Sequence, residues 1–243
     1  MIKLKAYAKI NIYLKVLGKR NDGYHNLESL MVPINLYDEL EFIDSDKDII
    51  ESNIDIENNI MYKAISYIKE KYKINRCVKI KLNKNIPLSS GLGGGSSDLS
   101  TTLKGLNLLW NLNLNDEELG NISLLFGSDT LFFIYNKPAI IRGRGELIEF
   151  VKYSEKEVLI LNPKIKVSTK DVFMEYKEFD KGTNELEMAL LRLYPNVKDF
   201  KSYYEKQGLE LNLSGSGSTY FSFSNTNYIS NDKYIEIKTK TIE

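Results

Sequence analysis

The sequence predicts a fold that mixes strands and helices, and three stretches carry that prediction. Ile2, Leu4, Ala6, Ala8, Ile10, Ile12, Leu14 and Val16 alternate with Lys3, Lys5, Tyr7, Lys9, Asn11, Tyr13 and Lys15. That period of two belongs to one long strand with one buried face. Val78, Ile80 and Leu82 alternate with Lys79 and Lys81 in the same way. Leu99, Leu103, Leu106 and Trp110 then fall at helical spacing. Between this strand and this helix lies PLSSGLGGGSS, residues 87–97, with four glycines and four serines in eleven positions. Glycine supplies no side chain to pack, so the stretch suits a loop with free N–H groups. A helix start attracts anions through its dipole and unpaired amides, and strand, glycine loop and helix together read as a phosphate cradle. Ser96 or Ser97 is expected to cap the helix. A flexible linker is the plain alternative, but such linkers rarely sit between a strand and a capped helix. A Walker loop would need Lys-Ser or Lys-Thr where Ser96-Ser97 stands, and a dinucleotide fingerprint fails at Ser96 when counted from Gly91 and Gly93. The His-Arg-Asp of protein kinases is also missing.

The remaining elements follow in chain order. Lys9 and Asn11 share the polar face of the first strand, where a solvated surface is the simplest reading. Residues 18–25, Gly-Lys-Arg-Asn-Asp-Gly-Tyr-His, hold the turn signal Asp22-Gly23 and end in an aromatic beside the chain's single histidine. An ordinary hairpin loop and a substrate loop using ring stacking are equally compatible with them. Residues 30–43 read as strand interrupted at Pro33, and residues 48–51 as a short strand. Met61, Ala64, Ile65, Ile68 and Tyr72 form a helical stripe. Residues 116–126 read as a helix closed by Gly127. Asp129 then precedes the apolar run Leu131-Phe132-Phe133-Ile134-Tyr135, expected to be a strand. At that junction Asp129 is either a turn former or a carboxylate held on a rigid edge. Residues 139–151 read as a hairpin turning at 142–146, and 158–161 as a strand stopped by Asn162-Pro163. Short helices are expected at 169–176, 184–194 and 197–207. A second glycine loop, Ser214-Gly215-Ser216-Gly217-Ser218, separates two strands. Residues 234–239 read as a last strand.

Composition bounds the function. A chain of 243 residues can bury a sizeable core. Its 33 basic and 33 acidic residues cancel, which does not favour a broad nucleic-acid surface. Cys77 is the single cysteine, so no intrachain disulfide exists. No run approaches the ~18 apolar residues of a membrane span, and no apolar signal-peptide core precedes the first strand. A soluble cytoplasmic protein is expected.

These pieces resemble the GHMP kinases, named for galacto-, homoserine, mevalonate and phosphomevalonate kinases. The resemblance runs from about Lys5 to about Phe223 and rests on Ala8 to Leu14, on Gly18 to His25, on Gly91 to Asp98, and on the C-terminal loop Leu213 to Thr219. The Asp-Gly-Tyr-His loop is the most specific piece and points to the branch acting on cytidine diphosphate methylerythritol. The resemblance implies an α+β fold of two domains: a ribosomal-S5-type ATP-binding domain over 1–155 and a ferredoxin-like domain over 156–243. The second is expected to be trimmed, because too few residues separate Phe223 from Tyr234 for the family's usual helix. ATP, with Mg²⁺, would lie on Leu88, Ser89, Ser90, Gly91, Leu92, Gly93, Gly94, Gly95, Ser96, Ser97 and Asp98. Asp129 would act as general base, or at least orient the substrate hydroxyl, with Lys9 as its partner. Tyr24 and His25 would hold the cytosine with Phe173 on its other face, and Asn11, Ser214, Gly215, Ser216 and Gly217 would border the substrate. The implied reaction phosphorylates the 2-hydroxyl of that substrate in the non-mevalonate route to isoprenoid precursors, in a monomer or weak homodimer. A homoserine- or mevalonate-type kinase and a non-catalytic binding protein of the same fold are the alternatives. Three departures stand out. Gly127-Ser128-Asp129 continues with Thr130-Leu131 where the family has Val-Pro, which predicts a less rigid loop. Leu99-Ser100 replaces the usual small pair, and the C-terminal part is short.

Overall fold

Two long strands organise the chain, β1 (Ile2–Lys19) and β2 (His25–Ser45), paired with each other. The computed structural model describes residues 1–224 and 226–243. It divides into two compact units, and both long strands contribute to each.

The first unit comprises Met1–Ala8, Leu36–Ile86 and Gly93–Asn136. Here β4 (Cys77–Asn83) pairs antiparallel with β2 and parallel with β3 (Ile49–Ser52). Helices α1 (Met61–Tyr72), α2 (Gly94–Leu109), α3 (Asp116–Ser123) and α4 (Thr130–Tyr135) complete it. Leu40, Phe42, Val78, Ile80 and Leu82 meet Ile65, Ile68, Leu99, Leu103 and Leu106 in one core. Gly105 sits inside α2 because a Cβ there would stand 2.3 Å from the Phe42 ring. Only glycine lets this helix lie so close to the strand.

The second unit comprises Lys9–Asn35, Pro87–Leu92 and Lys137–Glu243. β5 (Ala139–Gly143) pairs antiparallel with β2 and with β6 (Leu147–Phe150). A separate sheet has the order β10-β7-β9-β8, built from β7 (Glu157–Asn162), β8 (Asn212–Leu213), β9 (Tyr220–Ser222) and β10 (Ile235–Lys240). Counted from β7 the order is 4-1-3-2, that of the ferredoxin-like plan. Helices α5 (Thr169–Glu175), α6 (Glu187–Leu193) and α7 (Pro195–Glu205) lie between β7 and β8 in sequence. Ala189, Leu190, Val197, Phe200 and Tyr204 pack with Leu159, Leu161, Leu213 and Tyr220. Among the described residues no helix intervenes between β9 and β10, so the expected trimming is present.

Four local expectations are corrected. The run 131–135 is helical, as part of α4, and residues 131–134 are all buried. β2 runs unbroken through Pro33. That residue lies past the stretch paired with β5, which ends at Met31, so its missing donor is not required there. Its carbonyl accepts from Ile242 N at 2.8 Å. Neither Ser96 nor Ser97 caps α2: the N-cap is Gly93, with φ +74°, and both serines lie inside the helix. Finally, α3 ends at Ser123 with Leu124 at its C-cap, short of Gly127.

Candidate active site

In the first unit, α2 begins directly from the glycine loop. Ser97 N donates to Gly93 O at 2.9 Å, closing the first helical turn. The amides before it have no intrahelical acceptor by construction, and no side chain caps them. Gly95 is exposed, and a Cβ built there meets nothing within 4 Å. Gly94 differs: its Cβ would stand 3.0 Å from Ile86 and 3.2 Å from Lys84 Nζ. Gly94 therefore serves close packing, while Gly95 leaves the helix start open on one side. Asp98 also faces inward. It is buried, and its Oδ2 accepts from Lys84 Nζ at 2.7 Å, so its carboxylate is engaged within the protein. Burial, and the charge of Asp38, push the Asp98 carboxyl up to about 7 against the opposing pull of Lys84.

Asp129 is the N-cap residue of α4 and half-buried. The turn holding it is pinned without the family's proline. Thr130 Oγ1 donates to the carbonyls of Ser123 and Gly127, each at 2.7 Å, and Thr130 O accepts from Ser100 Oγ at 2.8 Å. Thr130 and Ser100, both departures from the family pattern, thus tie α4 to α2 and to the end of α3.

In the second unit Lys9 and Asn11 are buried, against the solvated face expected for them. The strict alternation of β1 fails here because residues 8–11 are buried on both faces. Lys9 Nζ donates to Asn11 Oδ1 at 2.5 Å, and Gly215 N donates to the same oxygen at 2.8 Å. Asn11 Nδ2 donates to Ser29 Oγ at 2.7 Å, which donates to Tyr13 O at 2.6 Å. The two glycine loops meet in this unit. Ser214 Oγ donates to Gly91 O at 3.1 Å, Thr219 N to Ser90 O at 3.1 Å, and Lys9 N to Leu92 O at 3.0 Å. Gly91 has φ +79°, and a Cβ there would stand 2.2 Å from Ser214 O. Asn184 holds the second loop from behind, donating to Leu213 O at 3.0 Å and Gly215 O at 2.8 Å. Ser216 Oγ lies 2.7 Å from Thr169 Oγ1. Ser89 has φ +50° and Leu88 is exposed at the entrance of the first loop.

The aromatic residues of the second unit form two pairs. The Arg144 guanidinium covers one face of the exposed Tyr24 ring, 3.8 Å from its centroid. His25 stacks on Phe173 at 5.3 Å with 22° between the planes, and meets the Tyr176 edge at 6.2 Å. A base inserted between two ring faces needs about 7 Å, twice a carbon contact distance. His25 and Phe173, both expected at the cytosine, stack directly on each other here and leave their outer faces to a base. Burial, with a smaller contribution from Lys19, holds the His25 imidazole below its ordinary pKa and favours the neutral ring.

The model of the GHMP kinases N terminal domain matches residues 59–137, from α1 to the end of α4. A 4-diphosphocytidyl-2-C-methyl-D-erythritol kinase from Thermodesulfovibrio yellowstonii is 38% identical over 93% of this chain and 90% of its own length. The chain belongs to this family of GHMP kinases. A relative of the same name from Bacillus cereus is 39% identical over 90% of this chain and 86% of its own. Among solved structures, a 4-(cytidine 5'-diphospho)-2C-methyl-D-erythritol kinase superposes with a TM-score of 0.83 at 26% identity, covering all of both chains. A mevalonate kinase from Methanococcus jannaschii shares the fold, with a TM-score of 0.67 at 14% identity over 100% of this chain and 98% of its own.

For a GHMP kinase whose glycine loop was plain in the sequence, the residues that reading missed are the ones behind it. Asp38 shares its strand parity with the buried Leu40 and Phe42, and Lys84 shares that of Val78, Ile80 and Leu82. A carboxylate and an ammonium on inward positions of neighbouring strands must find each other. That was the available signal. Ser29 and Asn184 carried none, since each acts through contacts distant in sequence.

Proposed function

We propose that this GHMP kinase transfers the γ-phosphoryl group of ATP to the 2-hydroxyl of 4-diphosphocytidyl-2-C-methyl-D-erythritol. The observation that carries the reading is the uncapped start of α2 behind an open Gly95. It stands in a chain 38% identical to a relative of that name over nearly its whole length. Residues 88–97 supply the cradle for the ATP phosphates, chiefly through backbone amides, with Gly94 and Asp98 supporting it from the protein side. Phosphoryl transfer needs positioning and charge stabilisation above all, and amides at a helix start give both. The acceptor hydroxyl attacks the γ-phosphorus, its proton passes to Asp129, and the bond to the β-phosphate oxygen breaks to release ADP. Lys9 polarises the hydroxyl. Asn11 and Ser214 to Gly217 border the substrate, while Tyr24 and the outer faces of the His25–Phe173 pair receive the cytosine. Among the described residues no group of three His, Cys, Asp or Glu side chains could hold a metal ion. Mg²⁺ enters with ATP, as the co-substrate Mg-ATP.

The test is an acceptor panel with Mg-ATP, read as ADP formed. The cytidyl substrate should be turned over faster than homoserine or mevalonate. Preference for either of those would move the chain to another GHMP activity, and ATP binding with no ADP from any acceptor would make it a binding protein.

A further inference from the structure

The glycine loop leaves β4 and enters α2, and a buried ion cluster spans its two ends within the first unit. Lys84, one residue past β4, donates through Nζ to Asp38 and, at 2.7 Å, to Asp98 Oδ2. All three residues are buried: Asp38 is 0% exposed, Asp98 4% and Lys84 7%. The second oxygen of Asp38 accepts from Asn85 N at 2.6 Å and Ile86 N at 2.8 Å. Asn53 binds both backbone groups of Lys84, accepting from its N at 2.7 Å and donating to its O at 3.2 Å. Residues 84–86 are thus held from both sides immediately before the loop.

The far end of the loop is held by less. The first turn of α2 has no side-chain cap, and uncapped helix ends fray. Asp98 lies one turn into the helix, and Lys84 Nζ is the side-chain partner the structure gives it. Its other oxygen, Oδ1, is buried without a hydrogen bond. Such a cluster is a poor way to gain stability alone, because well-packed apolar residues usually serve as well or better. What it supplies is a fixed geometry: an ammonium held on one side by Asp38 and pulling on α2 from the other. Gly94 lies against Lys84 Nζ and Ile86, so the same cluster sets where the first amides stand.

We infer that Asp38, Lys84 and Asp98 are positioning residues for ATP, aligning the start of α2 with residues 84–86 so that its free amides are aimed before the nucleotide arrives. This rests on the reading of that helix start as the phosphate cradle. Asp38 and Lys84 act through Asp98 and the helix.

Asp98→Ala separates the helix from Lys84 and leaves the Lys84–Asp38 pair intact. The KM for ATP should rise about tenfold, equal to about 1.4 kcal/mol. Loss of uniform binding leaves kcat, and the KM for the acceptor, within about twofold of the parent. Asp98→Asn returns an oxygen to Lys84 and should recover most of the ATP affinity. Lys84→Met should weaken ATP at least as much. If that variant fails to fold because two buried carboxylates lose their cation, the Asp98 pair still decides. An unchanged KM for ATP in Asp98→Ala, or parallel rises for ATP and acceptor, would show that the cluster only holds the fold and overturn the inference. ATP affinity is also read by calorimetry. Absence of turnover in the parent enzyme would therefore defeat the functional reading while leaving this test standing.

Discussion

Gly91→Ala probes the meeting of the two glycine loops. At φ +79° an L-residue costs roughly 1–2 kcal/mol. Its methyl would stand 2.2 Å from Ser214 O and 3.0 Å from Gly217 O. Both are backbone atoms, so no side chain can swing aside, and the loops must part by about 1 Å to reach an ordinary carbon–oxygen contact. That movement strains the Ser214 Oγ bond to Gly91 O and the Thr219 N bond to Ser90 O, both 3.1 Å, each worth about 0.5–1.5 kcal/mol. Together the terms suggest a loss of about 2–5 kcal/mol. For a chain of this size that corresponds to a melting temperature lower by about 4–20 °C. Turnover should fall by about 10²-fold, the effect of displacing reacting groups by that distance. Circular dichroism melts and an ADP-release assay measure the two. A variant that melts within about 2 °C of the parent and keeps its turnover would refute the contact as described.

Four further predictions concern the rest of the site. Gly95→Ala, on the open side of α2, should raise stability by roughly 0.5–1 kcal/mol while weakening ATP in a calorimetric titration; stronger ATP binding would argue against the cradle. Asp129→Asn should keep ATP binding and lower turnover by about 10²–10⁴, with Lys9→Ala also crippling and the double variant little worse than either; single-turnover kinetics would expose normal chemistry if Asp129 is only a turn residue. Tyr24→Ala should weaken the cytidyl substrate by about 1–3 kcal/mol and spare ATP, because stacking on a base is lost; equal losses in the two titrations would mean that it only shapes the loop. Asp98 predicts a pH effect on stability. Its carboxyl titrates near 7 when folded against an ordinary value of 3.8, so between those values the folded state holds a proton that the unfolded chain releases. Stability should therefore fall as pH rises through that window. Asp98→Asn should flatten the fall in melting temperature, and an unaltered slope would count against a buried, neutral carboxyl.

Much of the fold was legible because period two and helical spacing report one-sided burial directly. They fail where burial is not one-sided. Residues 131–134 are buried all round, and an uninterrupted apolar run cannot tell a helix from a strand. Lys9 and Asn11 read as solvated for the same reason in reverse: the pattern of β1 does not reveal that other segments cover its polar face. The glycine loop was visible as composition, but the division of labour within it was not. Gly91 makes room for the second loop, Gly93 turns the chain, Gly94 packs on Ile86, and Gly95 stays open. Those differences depend on neighbours far away in sequence. The proline missing after Asp129 suggested a loose turn, yet Thr130 ties it through a hydroxyl whose acceptors only the folded chain reveals.

The unbroken passage of β2 through Pro33 bears on how the chain matures. Ile34 bridges to Thr241 and the Pro33 carbonyl accepts from Ile242 N, so this part of β2 is completed by residues far downstream in sequence. Closing contacts across such a separation is entropically slow. During synthesis the edge at Pro33 and Ile34 waits until residues 241 and 242 arrive, and an unpaired strand edge of that kind is a template for association with other chains.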